Sequence, residues 1–252
     1  MVISCCARSP ACGTISHYQK GADGMQYPYL LFDADNTLFD FDAAERQAYA
    51  NVCRTHGLTF SKDGYALYRR CNGELWRDFD RGLCTKEFLL TERFRRYLDR
   101  SGQSGDPSAL NRTHLQTIAA SAFLLPGALE LCQALAADHE MYIITNGVES
   151  SQRSRFRLSP LVPCFKDLFI SEAIGSGKPS RAYFDYVFQA VPGLTPQNGL
   201  VIGDSLTSDI QGANNAGLAC CWFNPRGLPR PEGLRIDYEV RTLEEILPIA
   251  SR

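Results

Sequence analysis

No run of about 20 apolar residues, no long run of basic residues and no C-x-x-C pair occurs in this sequence. The first absence excludes a membrane-spanning helix. The second, with a formal net charge of −2, argues against a nucleic-acid polymer as partner, although one local lysine can still bind a small anion. Histidine is scarce and scattered (His17, His56, His114, His139), which together with the missing C-x-x-C speaks against a zinc site. Ten cysteines are present but unpatterned, with Cys5-Cys6 and Cys220-Cys221 as adjacent pairs. Free thiols in a reducing cytosol are the expectation, so the protein is read as cytoplasmic. Residues 1–26 lack the apolar middle of a secretory signal, and Lys20 and Asp23 interrupt them; they are read as a disordered N-terminal tail. Met25, just before the first apolar run, offers an alternative start of translation.

What is present is a set of acids at the ends of apolar runs. Tyr29-Leu30-Leu31-Phe32 ends in Asp33-Ala34-Asp35-Asn36-Thr37, two carboxylates one residue apart. Leu200-Val201-Ile202-Gly203 ends in Asp204, with Asp209 about one helical turn later. Between them lie a β-rich run ending in Thr145-Asn146-Gly147 and a Gly177-Lys178-Pro179 triplet. Carboxylates at the C-terminal ends of parallel strands face one crevice. Several of them repel one another unless a cation joins them, so the pattern predicts a divalent metal.

The 252 residues, 44% of them hydrophobic, suit one domain with an insertion or two small domains. Periodicity predicts helices over Asp42–Thr55, Ser61–Phe79, from Thr85 onward, and over Pro107–Ser121, with Asn72-Gly73 a point at which the second can bend or break. Later, short apolar runs (Met141–Ile144, Leu168–Ser171, Gly199–Ile202, Leu218–Phe223, Tyr238–Val240) alternate with helical stretches, one of which Pro179 is expected to start. Alternation of this kind implies parallel pairing and an α/β layer fold. The expected organisation is a core over 27–41 and 123–252, with a helical insertion over 42–122 lying above the crevice as a lid.

The order Asp33-x-Asp35-x-Thr37, strand-end Thr145, Lys178-Pro179 and Gly203-Asp204-x-x-x-x-Asp209 resembles the haloacid dehalogenase-like hydrolase superfamily from residue 27 onward. The resemblance implies a Rossmann-like α/β core, a parallel sheet flanked by helices, with a type-one helical cap inserted after the first strand. The superfamily's dehalogenases do without the second acid and the metal. Asp35, Asp204 and Asp209 are all present here, so the chain resembles the magnesium-dependent phosphatases. Asp33 through Asp42, with Asn72, Leu75-Trp76, Thr85-Lys86 and Arg93-Phe94, is similar to the noncanonical pyrimidine nucleotidase (5′-nucleotidase) branch.

The resemblance implies these roles. Asp33 is the nucleophile and forms an aspartyl-phosphate. Asp35 protonates the leaving oxygen and then activates the hydrolytic water. Thr145 and the backbone at Asn146 donate to the phosphate, and Lys178 neutralises Asp33 and the phosphoryl group. Mg²⁺ is held by Asp33, the Asp35 carbonyl and Asp204, with Asp209 reaching it through water. For the rest of the substrate the candidates are Phe41, Trp76 and Arg93. Aromatics at helical spacing more often build a core, as Tyr65 and Tyr68 would, and Arg93 is equally consistent with a solvated face. The expected partner is a small phosphorylated metabolite, a pyrimidine nucleoside 5′-monophosphate, acted on by a monomer or homodimer. A phosphoglycolate or sugar-phosphate phosphatase, a phosphomutase and a non-catalytic binding protein are the alternatives.

Overall fold

The structure, a computed structural model, describes residues 25–251; nearly all of the expected tail lies outside them. Six apolar runs form strands: β1 (Tyr29–Asp33), β2 (Glu140–Thr145), β3 (Asp167–Ile170), β4 (Gly199–Gly203), β5 (Ala219–Phe223) and β6 (Tyr238–Val240). They make one parallel sheet in the order β3-β2-β1-β4-β5-β6. Burial on both faces explains why these strands read as continuous apolar runs rather than alternating ones. Leu30, Phe32, Met141, Ile143, Leu200 and Ile202 pack on one face. Leu31, Tyr142, Ile144, Val201, Cys220 and Trp222 pack on the other. Chain direction across the sheet reverses between β1 and β4, where the ends of two strands open a crevice. Asp33 closes β1 there, and Asp204 follows β4 directly.

Between β1 and β2 come four long helices: α1 (Phe41–His56), α2 (Lys62–Asp80), α3 (Lys86–Ser101) and α4 (Pro107–Ala119). Their ends carry the expected signals. Asp40 accepts from the Ala43 amide at the start of α1, and Gly57 ends that helix at φ 67°. Thr85 accepts from the Phe88 amide to cap α3. The insertion has its own core of Tyr49, Val52, Tyr68, Phe94, Tyr97 and Leu110. Its two connectors to the sheet are paired, with the Asp40 amide donating to Phe123 O (3.0 Å) and the Leu125 amide to Leu38 O (2.9 Å).

The remaining helices are α5 (Ala128–Leu135), α6 (Glu149–Leu158), α7 (Ser171–Ile174), α8 (Arg181–Ala190), α9 (Gln211–Ala216) and α10 (Leu247–Ala250). Three expectations are corrected. Helix α2 runs through Asn72-Gly73 without a break, because Asn72 is buried and bonded at both ends of its amide, to Glu45 (2.7 Å) and Arg93 (3.3 Å). Pro179 does not start a helix: α8 begins at Arg181, and the Lys178–Pro179 peptide is cis. Ser171, expected at the end of a strand, instead opens α7.

Candidate active site

Asp33 is 7% exposed at the sheet's C-terminal edge. Its Oδ1 accepts from Lys178 Nζ at 2.7 Å and its Oδ2 from the Thr37 hydroxyl at 3.1 Å. Lys178 spends its other N–H groups on Asp209 Oδ1 (2.6 Å) and the Ile144 carbonyl (2.8 Å), so the buried ammonium is fully satisfied. Its backbone is clamped on both sides by Asn146, which donates to Lys178 O (2.7 Å) and accepts from Lys178 N (2.9 Å). Thr145 is buried at the end of β2, where its oxygen accepts from the Gly147 amide and Gln152 Nε2.

Asp209 is fully buried in a wide turn, Leu206–Ile210, that follows β4. Its Oδ2 accepts from the Ser205 amide at 3.0 Å. Gly203 is required there, since a Cβ at that position would collide with the Asp209 carboxylate. The Asp204 carbonyl is held by Trp222 Nε1 at 3.0 Å. Asn36, at φ 61°, turns the chain from β1 toward the insertion, and its side chain accepts from the Asp42 amide.

The charge here is unbalanced. Asp33, Asp204 and Asp209 each present a carboxylate oxygen, all within 4.8 Å of one another. One lysine stands against the three. Burial pushes Asp33 up to about 7, against the pull of Lys178 and with a further push from Asp209 and Asp35. Asp204 is raised well above the usual carboxylate range by burial, then by Asp33 and Asp209. Burial opposes the charge on Lys178, but Asp209 and Asp33 outweigh it and the ammonium is held protonated. A crowded set of hard oxygen donors with excess negative charge fits a divalent cation of the magnesium type.

A cavity of about 220 Å³ opens from Asp33, Asp35, Thr145, Asn146 and Lys178 toward the helical insertion. Phe41, Trp76 and Arg93 also line it, with Phe41 near Asp35, since the Arg155 guanidinium that bonds Asp35 lies over the Phe41 ring. Tyr68 is fully buried in the insertion's core, as expected. Trp76 is only partly buried and reaches the cavity while packing edge-on against Phe79 (5.6 Å). Arg93 is 2% exposed, which rules out the solvated face. Its guanidinium donates to Asn111 Oδ1 (2.7 Å), Asn72 Oδ1 (3.3 Å) and His114 Nδ1 (3.3 Å). Arginine only donates, so His114 Nδ1 accepts, and Nε2 carries the proton shared with the Tyr68 hydroxyl (3.0 Å). Burial, and then Arg93, hold the His114 pKa well below its ordinary value, so the ring stays neutral.

Two residues at the site carried no signal specific enough to be read from the sequence. Gln152 and Arg155, both on α6, bond the two oxygens of Asp35. Their i, i+3 spacing puts them on one helix face, but such a polar pair resembles any solvated stripe.

A parallel sheet with acids at its switch point, a lysine bonded to the first of them and a helical insertion between β1 and β2 is the architecture of an α/β hydrolase. The profile described as haloacid dehalogenase-like hydrolase matches residues 27–217, and the chain belongs to that family. It is 38% identical over 224 residues to the HAD-hydrolase YfnB of Bacillus subtilis (strain 168), covering 89% of this chain and 95% of that one. It is 36% identical over 224 residues to the pyrimidine 5′-nucleotidase PynA of Streptococcus pneumoniae (strain ATCC BAA-255 / R6), covering 88% and 94%. The crystal structure of YfnB bound to magnesium superposes with a TM-score of 0.86, covering 90% of this chain and all of that one.

Proposed function

We propose that this chain is a Mg²⁺-dependent phosphatase that hydrolyses pyrimidine nucleoside 5′-monophosphates through an aspartyl-phosphate on Asp33. In this reading residues 42–122 form the cap and residues 27–41 and 123–252 the core. The observation that carries the proposal is the Lys178–Asp33 pair at 2.7 Å, in a cavity that Phe41, Trp76 and Arg93 also line. The relative named as a pyrimidine 5′-nucleotidase supports the substrate class.

Asp33 attacks phosphorus while the ester oxygen leaves, so an O–P bond forms on the carboxylate as the substrate's O–P bond breaks. Asp35, on the cavity wall, gives its proton to the leaving oxygen. In the second half it takes a proton from water as that water attacks the aspartyl-phosphate, releasing inorganic phosphate and restoring Asp33. Lys178 holds a fixed positive charge at Asp33 throughout. A Mg²⁺ ion held by Asp33 and Asp204, with the Asp35 carbonyl and Asp209 beside them, would offset the charge that three carboxylates and a phosphoryl group bring together. The planar rings of Phe41 and Trp76 offer stacking surfaces for a base, and Arg93 offers a donor for its carbonyl oxygens. Free thiols at Cys53, Cys71 and Cys132 suit a reducing compartment, and we place the enzyme in the cytoplasm.

The test is phosphate release from UMP, dUMP, dTMP, AMP, phosphoglycolate and several sugar phosphates, with and without Mg²⁺. Metal-dependent preference for the pyrimidine nucleotides is expected. Preference for a sugar phosphate or phosphoglycolate would remove the reading of the cap and leave the mechanism standing.

A further inference from the structure

Asp35 does not stand free in the cavity. Its Oδ1 accepts from Arg155 Nη1 and its Oδ2 from Gln152 Nε2, each at 2.5 Å. Gln152 Nε2 also donates to Thr145 at 3.2 Å, which joins the acid to the phosphate end of the cavity. Arg155 is fully buried, and its Nη2 has no hydrogen-bond partner. A buried guanidinium with an unpaired nitrogen is an expensive way to fill space. An apolar side chain of similar volume often serves stability as well or better. Stability therefore does not account for this arginine.

Its other contacts do. Arg155 Nε donates to the Ser121 carbonyl at 3.0 Å. The guanidinium lies over the rings of Phe39 (4.8 Å) and Phe41 (5.7 Å). Ser121 lies just after α4, on the connector that leaves the insertion; Phe39 lies on the connector that enters it, and Phe41 opens α1 directly after that connector. Those two connectors are themselves paired through Asp40–Phe123 and Leu38–Leu125. One buried side chain thus touches both connectors and the carboxylate proposed as general acid.

We propose that Arg155 is a positioning residue: it fixes the Asp35 carboxylate at the cavity wall and ties that placement to the two connectors of the cap, so that the acid meets the leaving oxygen when the cap is seated. Gln152 holds the second oxygen of the same carboxylate. The proposal rests on the reading of Asp35 as general acid. Arg155 itself neither gives nor takes a proton; the proton passes from the Asp35 carboxyl to the ester oxygen as the P–O bond breaks.

The readout is leaving-group dependence. An alkyl ester such as UMP needs a proton on its departing oxygen, whereas p-nitrophenolate leaves without one. kcat/KM reports only the steps up to the aspartyl-phosphate, so the ratio of kcat/KM for UMP, or for the best alkyl ester of the panel, to that for p-nitrophenyl phosphate isolates the acid. General acids contribute on the order of 10²–10⁴, so Asp35→Asn should lower the ratio by about that factor. Arg155→Met should lower it by roughly 10-fold or more, since a misplaced acid loses part of that contribution. Arg155→Lys should fall between Arg155→Met and wild type. Gln152→Met, which leaves the guanidinium in place, should shift the ratio in the same direction and covers the case in which Arg155→Met does not fold. A purely structural arginine would change melting temperature and both substrates alike. An unchanged ratio in the folded Arg155 and Gln152 variants, beside a lowered one in Asp35→Asn, would overturn this proposal alone. A raised ratio in Arg155→Met would overturn it too, by making the arginine a restraint that holds the acid away. An unchanged ratio in Asp35→Asn would remove the acid and the proposal with it.

Discussion

Replacing Asp33, the proposed nucleophile, should abolish turnover and yet stabilise the metal-free protein. Burial pushes the Asp33 carboxyl from 3.8 up to about 7 despite its contact with Lys178. Between about pH 4 and 7 the folded protein therefore keeps a proton that the unfolded chain has released. Stability falls as pH rises through that window and stays down above it; below the window both states hold the proton and the cost vanishes. The difference corresponds to about 4 kcal/mol at pH 8, an upper bound because side chains relax and water enters. Asn at position 33 removes the charge and keeps the shape. Its carbonyl oxygen can accept from Lys178 and its amide can donate to Thr37, which then acts as acceptor. In EDTA at pH 8, Asp33→Asn should gain about 2–4 kcal/mol, raising the melting temperature by roughly 5–10 °C for a chain of this size. At pH 4 the gain should disappear. Added Mg²⁺ should raise the wild-type melting temperature more than that of the variant, because the ion binds the folded state that Asn has already relieved. The assay is thermal unfolding in a pH series with and without metal. A variant less stable than wild type at pH 8 in EDTA would refute the account of a crowded, under-neutralised cluster.

Lys178→Met leaves Asp33 and Asp209 buried with no cation beside them; urea unfolding should show a loss of about 3–5 kcal/mol, and turnover should fall on the order of 10²–10³. Trp76→Ala should raise KM for UMP several-fold with little change in melting temperature, because the ring lines the cavity and is only partly buried; an unchanged KM with lower thermal stability would return Trp76 to the cap's core. Lys86, from α3, bonds Ser171 Oγ (2.8 Å), the Gly147 carbonyl (3.1 Å) and Glu172 (3.4 Å) with its side chain largely buried, so Lys86→Ala should lower kcat/KM by loosening the contact between α3 and the sheet's loops and should cost about 1–3 kcal/mol in unfolding.

The acids at the strand ends were legible in the sequence for a physical reason. A strand buried on both faces reads as an apolar run, and the first charged residue after it marks the mouth of the sheet. That logic placed Asp33 and Asp204 without knowledge of the fold, and the interposed helical signals located the insertion. Local punctuation was less reliable wherever tertiary contacts outweighed it. Gly73 costs α2 only about 1 kcal/mol, which the buried bonds of Asn72 can offset. Pro179 looked like a first-turn proline but sits before the helix cap. Arg93 and Arg155 were the hardest to read. Arginine on an amphipathic helix normally faces water, and only the three-dimensional meeting of Asn72, Asn111 and His114, or of Asp35 and Ser121, marks these two as buried and committed.

The central claim is that Asp33 carries the phosphoryl group. Mixing the enzyme with UMP and Mg²⁺, quenching in acid within the first turnover and mapping the phosphorylated peptide by mass spectrometry tests it directly. The account predicts a phosphoryl adduct on Asp33 that is labile to hydroxylamine and absent from Asp33→Asn. Turnover that persists in Asp33→Asn, or an adduct on another residue, would contradict it.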